Sequence, residues 1–322
     1  MSTSTPSSIK KATIIGCGSI GASWAALFLA HGIKTITYDI NPSAKDFLIE
    51  LVDQALPVLM RLGNCPFPNA KSSDIIFTTN LEEALQDTDF VQENGPEKME
   101  FKQNLFAEIA KVVREDVIIA TSSSGLSCSS IQEGLGMDSH PERCVVGHPF
   151  NPPHLIPLVE VVGGSKTSEN TIKRTLDFYT NLGKKAVHVK KEATGHVANR
   201  LQGALMREMM YLIQEDICTV SDIEDAMQYG PGLRWGIMGP SLLFHLGGGK
   251  GGIEHFADHL LEPAMTWYAE KDPLVNEELR RKWVEGTREV VAGRSFDELS
   301  KQRDDGIIEL LKIRQGVKEP AA

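Results

Sequence analysis

The chain has 322 residues, 41% of them hydrophobic and 24% charged, with a formal net charge of −10. That balance excludes disordered and fibrous classes, and the length allows two domains with cores of their own. An acidic chain also argues against a nucleic-acid or anionic-membrane partner, since each needs a basic patch, so a small molecule is the expected partner.

Residues 1–8, rich in Ser and Thr, read as a disordered tail. The opening MSTSTPSSIKK lacks the apolar segment of a secretory signal, and runs such as WAALFLA are too short to span a bilayer; a cytoplasmic protein is expected. From there to about residue 190, short β-branched runs (KATIIG, KTITYD, DIIFTT, DFVQEN, DVIIATSS, CVVGHP, IPLVEVV, KAVHVK) alternate with amphipathic helical stretches. This alternation predicts an α/β domain over 1–190 built on a largely parallel, doubly wound sheet. Beyond it the apolar spacing is helical, as in HVANRLQGALMREMMYLIQEDI and PLVNEELRRKWVEGTREVVAG, and Ser221 followed by Glu224 predicts a capping box. An all-helical second domain is therefore expected over 191–322. Cys17, Cys65, Cys128, Cys144 and Cys218 are scattered without a C-x-x-C pair, which predicts neither a disulfide framework nor a zinc site.

The first chemical motif is IIGCGSIGASWAALFLAHG. Gly16, Gly18 and Gly21 fit G-x-G-x-x-G after a strand and at the start of a helix, where free N–H groups, including those of Ser19 and Ile20, can hold a pyrophosphate. The next strand ends in ITYDI, placing Asp39 eighteen residues past Gly21, where a carboxylate accepts from ribose hydroxyls and repels a 2′-phosphate. The pattern predicts a Rossmann-type domain with NAD as cofactor.

The second motif is HPFNPPHLIPLVEVV. If IPLVEVV is a strand, Leu158, Glu160 and Val162 share a face, and a buried carboxylate there needs a partner. His148 ends the preceding strand, and the intervening turn can return the chain beside it. A carboxylate on Nδ1–H would fix the imidazole tautomer and support its positive charge when Nε2 takes a proton. Such a pair can be structural, but beside a nicotinamide site it is the base an alcohol oxidation requires. GGGKGG at 247–252 lacks the Lys-Ser/Thr ending of a phosphate loop and reads as a helix connection, and His255 and His259 lack further ligands, so no metal is assigned.

With GCGSIG, ATSSSGL, GHPFNPPHLIPLVEVV, TGHVANRLQGAL and GPGLRWGIMGP in this order, the chain resembles the 3-hydroxyacyl-CoA dehydrogenase superfamily nearly end to end. The resemblance implies His148 as base and Glu160 as its orienting partner, with Ser124 and Asn199 bonding the reacting oxygen and the nicotinamide region. It also implies Glu97 and Lys102 as cofactor-contacting residues, Asn151 beside the nicotinamide, and a homodimer. Members oxidise hydroxyacyl-CoA thioesters, L-gulonate or L-carnitine. The segment NPSAKDFLIELVDQALPVLMRLGNCPFPNAK balances Lys45, Arg61 and Lys71 against Asp46, Glu50 and Asp53, which disfavours the CoA phosphates.

The stretch YGPGLRWGIMGPSLLFHLGGGKGGIEHF and His196 in TGHVANR look most like the carnitine-oxidising members. Trp235, Phe244, Tyr211 and Trp267 are candidate walls for a quaternary ammonium group, and Arg234 a candidate partner for a carboxylate. The expected reaction is NAD-dependent oxidation of the 3-hydroxyl of a small 3-hydroxy acid, L-carnitine to 3-dehydrocarnitine first. L-gulonate and short-chain 3-hydroxyacyl-CoA are the alternatives. A crystallin-like structural protein or an NAD sensor is the non-enzymatic reading, against which His148, Glu160, Ser124 and Asn199 all stand intact.

Overall fold

The computed structural model describes residues 9–316, so the tail expected at 1–8 lies outside the described residues. The chain forms two compact units, one running to Arg200 and the other beginning at Leu201.

Among the described residues, the first unit holds eight strands, β1 (Lys11–Ile15), β2 (Lys34–Tyr38), β3 (Ile76–Thr78), β4 (Phe90–Glu93), β5 (Ile118–Thr121), β6 (Cys144–Pro149), β7 (Leu158–Gly163) and β8 (Lys185–Val189). They pair in the order β3-β2-β1-β4-β5-β6-β7-β8. Every pairing is parallel except β6 with β7. The exception follows from chain length, because a parallel return needs a crossover of about a dozen residues or more. Only residues 150–157 join β6 to β7, so the chain can do no more than double back.

Helices α1 (Ser19–Ala30), α2 (Ala44–Arg61), α3 (Leu81–Leu85), α4 (Met99–Val112), α5 (Cys128–Gln132) and α6 (Glu169–Asn181) fill the other connections. Helix α1 is buried continuously from Gly21 to Ala30, which is why SIGASWAALFLA is apolar all round instead of striped. Against one sheet face, Trp24 and Phe28 of α1 and Phe178 and Tyr179 of α6 form a core. Trp24 stacks on Tyr179 at 5.3 Å, and Phe90 meets Phe178 at 4.3 Å. Leu105, Phe106, Ile109 and Ile131 cover the other face, giving the doubly wound arrangement.

The second unit is helical. Helix α7 (Ala198–Gln214) starts in the first unit and is followed by α8 (Val220–Tyr229), α9 (Pro231–Trp235), α10 (Pro240–Gly247), α11 (Gly252–Phe256), α12 (Glu262–Ala264), α13 (Glu277–Val291) and α14 (Phe296–Gln315). Its core gathers Ile213, Val220, Ile223 and Leu279. The capping box of α8 uses Thr219 and Asp222 in place of the expected Ser221 and Glu224. Two residues earlier, the same hydroxyl-x-x-acid spacing already satisfies the first free N–H groups, leaving Ser221 inside the first turn. No helix among the described residues is long and apolar enough to cross a membrane.

Candidate active site

The site grows from the C-terminal ends of the strands. After β1, Gly16 has φ +87°, and a Cβ there would stand 2.9 Å from the carbonyl oxygen of Asn94. At Gly21 a Cβ would lie 1.9 Å from the Gly16 oxygen, so only glycine lets α1 begin so close to the strand. Gly18 differs, because a Cβ would meet nothing within 4 Å. It faces open space at the N-terminus of α1, where no side chain caps the helix. Unsatisfied N–H groups at Ser19 and Ile20, beside a glycine that needs no room within the protein, fit a bound pyrophosphate. Asp39 follows β2 and accepts from Cys17 N at 2.9 Å and Asn41 N at 2.9 Å, which ties its carboxylate to the glycine turn.

His148 and Glu160 are directly opposite each other in the antiparallel pairing of β6 with β7. The imidazole Nδ1–H donates to Glu160 Oε2 at 3.0 Å, with the residues 4% and 1% exposed. Glu160 Oε1 accepts from Val197 N at 2.8 Å and Ala198 N at 3.0 Å, the amides just before and at the start of α7. Burial pushes this carboxyl up, but the bonds from His148, Ala198 and Val197 outweigh it and hold the group below its ordinary value. An ionised carboxylate only accepts. Nδ1 of His148 therefore carries the hydrogen, and Nε2 keeps a lone pair, 3.0 Å from Ser124 Oγ. The arrangement is an imidazole with its tautomer fixed and an Nε2 able to accept a proton.

Ser124 belongs to a loop after β5 that is organised by a neighbouring acid. Glu97 Oε1 accepts from Ser123 Oγ at 2.6 Å, Ser124 N at 3.0 Å, Gly125 N at 2.8 Å and Leu126 N at 3.3 Å. These bonds and the charge of Lys102 overcome burial and hold Glu97 below its ordinary value. Lys102 is wholly buried, with Nζ on both oxygens of Glu93 at 3.0 and 2.8 Å and 3.6 Å from Glu97 Oε2. The structure thus directs Lys102 into the protein, onto a carboxylate that the sequence reading did not single out. The signal for Glu93 was present: it ends a run, FVQE, that is buried at every residue.

His196 closes the arrangement. Its Nε2–H donates to the Ser123 carbonyl at 3.1 Å, its ring lies 5.0 Å from that of His148, and Nδ1 is buried without a partner. Gly195 at φ +76° and His196 at φ +49° are consecutive left-handed residues. For a non-glycine that costs about 1–2 kcal/mol, and the turn delivers the Val197 and Ala198 amides to Glu160. Asn199 is half-buried one residue further along α7, and Asn151 is exposed in the β6–β7 connection.

The aromatic candidates are divided. Tyr211 and Trp267 line an open cavity of about 650 Å³ together with Tyr268, and neither Trp235 nor Phe244 borders it. Arg234 and Trp235 sit on α9, while Phe244 of α10 stacks on Phe256 at 5.0 Å.

Residues 11–193 match the 3-hydroxyacyl-CoA dehydrogenase NAD binding domain, and residues 195–288 match the C-terminal domain of the same family. The L-carnitine dehydrogenase of Nocardiopsis dassonvillei is 41% identical, with 99% of this chain and 95% of that protein covered. The L-carnitine dehydrogenase of Pseudomonas aeruginosa is 40% identical over 94% of this chain and 93% of its own. Among solved structures, 5-formyl-3-hydroxy-2-methylpyridine-4-carboxylic acid 5-dehydrogenase, an NAD+-dependent dismutase, superposes with a TM-score of 0.81 at 26% identity, covering 96% of this chain and 100% of that one. With a nucleotide-ready glycine turn, a buried His–Glu pair and both domains matched, the chain belongs to the 3-hydroxyacyl-CoA dehydrogenase family, as an NAD-dependent oxidoreductase acting on a CH–OH group.

Proposed function

We propose that this protein oxidises L-carnitine to 3-dehydrocarnitine, with His148 as the general base and Glu160 as its orienting partner. The observation that carries the chemistry is the buried His148–Glu160 bond at 3.0 Å with Nε2 turned to Ser124. The substrate rests on the L-carnitine dehydrogenases at about 40% identity over nearly the whole chain.

NAD, when bound, supplies the hydride acceptor. Gly16, Gly18, Ser19, Ile20, Gly21 and Asp39 would hold its pyrophosphate and ribose, with Asn151 and Glu97 at the nicotinamide end. Lys102 acts there through Glu93 and Glu97. Ser124 and Asn199 bond the reacting oxygen and the nicotinamide region, and His148 Nε2 takes the proton of the substrate hydroxyl. Glu160 balances the imidazolium so formed, and its Oε1 bonds to Val197 and Ala198 keep the carboxylate from turning away.

His196 is the candidate contact to the polar end of the substrate, with Arg234, Trp235, Phe244 and Tyr211 as the candidates from the helical unit. Exposed Leu201, Leu233, Leu242 and Leu246 on that unit support a homodimer.

NADH formation from L-carnitine, D-carnitine, L-gulonate, L-3-hydroxybutyrate and 3-hydroxybutyryl-CoA, each with NAD and with NADP, tests the reading. Turnover confined to L-carnitine with NAD is expected. Preference for gulonate or the thioester would leave the His148 chemistry and overturn the substrate, and silence on the whole panel would overturn both.

A further inference from the structure

Lys184, the residue before β8, is buried at 6% exposure. Its Nζ donates to the carbonyls of Pro153 and Ile156 and lies 5.5 Å from the centroid of the Trp24 ring. Among the described residues no carboxylate is within ion-pairing distance of it, and burial alone pushes the amine down to about 7. A buried amine without a counter-charge is costly. Its position shows what it holds.

Both carbonyls belong to the connection 150–157, which leaves the strand of His148 and enters the strand of Glu160. They bracket His154, whose backbone N–H donates to Ser23 Oγ at 2.7 Å and whose Nδ1 bonds the same oxygen at 2.7 Å. Ser23 and Trp24 are consecutive residues of α1, the helix that begins at the glycine turn. The connection is therefore fastened from two elements, by Ser23 of α1 at its middle and, at Pro153 and Ile156, by Lys184, which precedes β8 and lies over the Trp24 ring. The amine retains two N–H donors even when neutral, so both carbonyls stay satisfied in either protonation state. An apolar side chain would strand them.

We propose that Lys184 is a positioning residue that fixes the His148–Glu160 connection, and with it Asn151, to the start of β8 beside helix α1. The role rests on His148 and Glu160 being the catalytic pair, but the fastening itself can be read without substrate. The test uses the full-length protein with Lys184→Met, and with Lys184→Gln, whose amide keeps two donors, as the milder variant if the first does not fold.

Hydrogen exchange at residues 154–156 is expected to quicken by roughly ten-fold or more in Lys184→Met, with β1 and α1 unchanged. With L-carnitine, kcat is expected to fall about ten-fold while KM for NAD stays within about two-fold, and Lys184→Gln should recover part of the loss. Exchange in 154–156 as slow as in the parent would overturn the proposal. So would a general loss of protection, with kcat and NAD affinity falling together. A parent protein silent on L-carnitine would sink the substrate reading alone, because the exchange experiment decides on Lys184 either way.

Discussion

Replacing Glu160 by Gln keeps the shape of the pair and changes only what it can accept. The carboxylate takes three bonds, from His148 Nδ1 at 3.0 Å, Val197 N at 2.8 Å and Ala198 N at 3.0 Å. Glutamine has one acceptor oxygen, and the two backbone amides claim it. Its NH2 then faces Nδ1, where two donors cannot meet, so the imidazole moves its hydrogen to Nε2 and loses the lone pair that takes the substrate proton. Returning to the productive tautomer, and losing the charge-assisted bond to the imidazolium, costs about 2–4 kcal/mol together. At 1.36 kcal/mol per decade that is about a thirty- to thousand-fold drop in kcat. Steady-state NADH formation with L-carnitine measures it, and a fluorescence titration with NAD should show unchanged affinity. A Glu160→Gln enzyme within about three-fold of the parent kcat would refute the tautomer argument.

The glycine turn separates cofactor binding from folding. Gly18→Ala adds a Cβ that meets no protein atom, whereas Gly21→Ala puts one 1.9 Å from the Gly16 oxygen. The first variant should melt like the parent yet bind NAD about ten-fold or more weakly, and the second should lose stability; equal NAD affinity in Gly18→Ala would show that the pyrophosphate lies elsewhere. Lys102→Met leaves Glu93 buried and unpaired, at 0% exposure, and should cost about 3–5 kcal/mol in urea unfolding. Most of that should return in the double variant with Glu93→Gln, and a loss below about 1 kcal/mol would mean that the pair is not buried in solution. Lys184 sets a pH dependence. Its folded value of about 7 lies below the ordinary 10.5, so between those limits the unfolded chain holds the extra proton and stability rises with pH. Thermal midpoints across pH 7 to 10.5 should show that rise in the parent and a flatter profile in Lys184→Met; parallel profiles would contradict the buried, unpaired amine.

The glycine turn and the His148–Glu160 pair were legible in the sequence because each is a local constraint. Gly16 and Gly21 are dictated by one backbone angle and one close approach, and Glu160 by strand period plus a connection too short to cross over. The partners of other charges were not legible. Lys102 matched a motif, but its bond to Glu93 depends on where α4 crosses the end of β4. Lys184 reads as one of several surface lysines in GKKAVHVKK until Trp24 and the 150–157 connection close over it. The neighbours of the aromatic candidates in the helical unit were not legible for the same reason, since their spacing gives a helix face and no neighbour.

These residues share one edge of the sheet. In an open parallel sheet ligands gather at the carboxyl ends of the strands, and Gly16, Asp39, Glu93, Ser124 and His148 follow or end β1, β2, β4, β5 and β6 in turn. Glu160 could not join them from another parallel strand, because its place three residues into β7 would fall well short of that edge. The antiparallel return through 150–157 brings the start of β7 to where β6 ends. A short connection that cannot cross over is thus what places Glu160 beside His148, and Lys184 fastens that same connection to the start of β8, beside the Trp24 ring of α1.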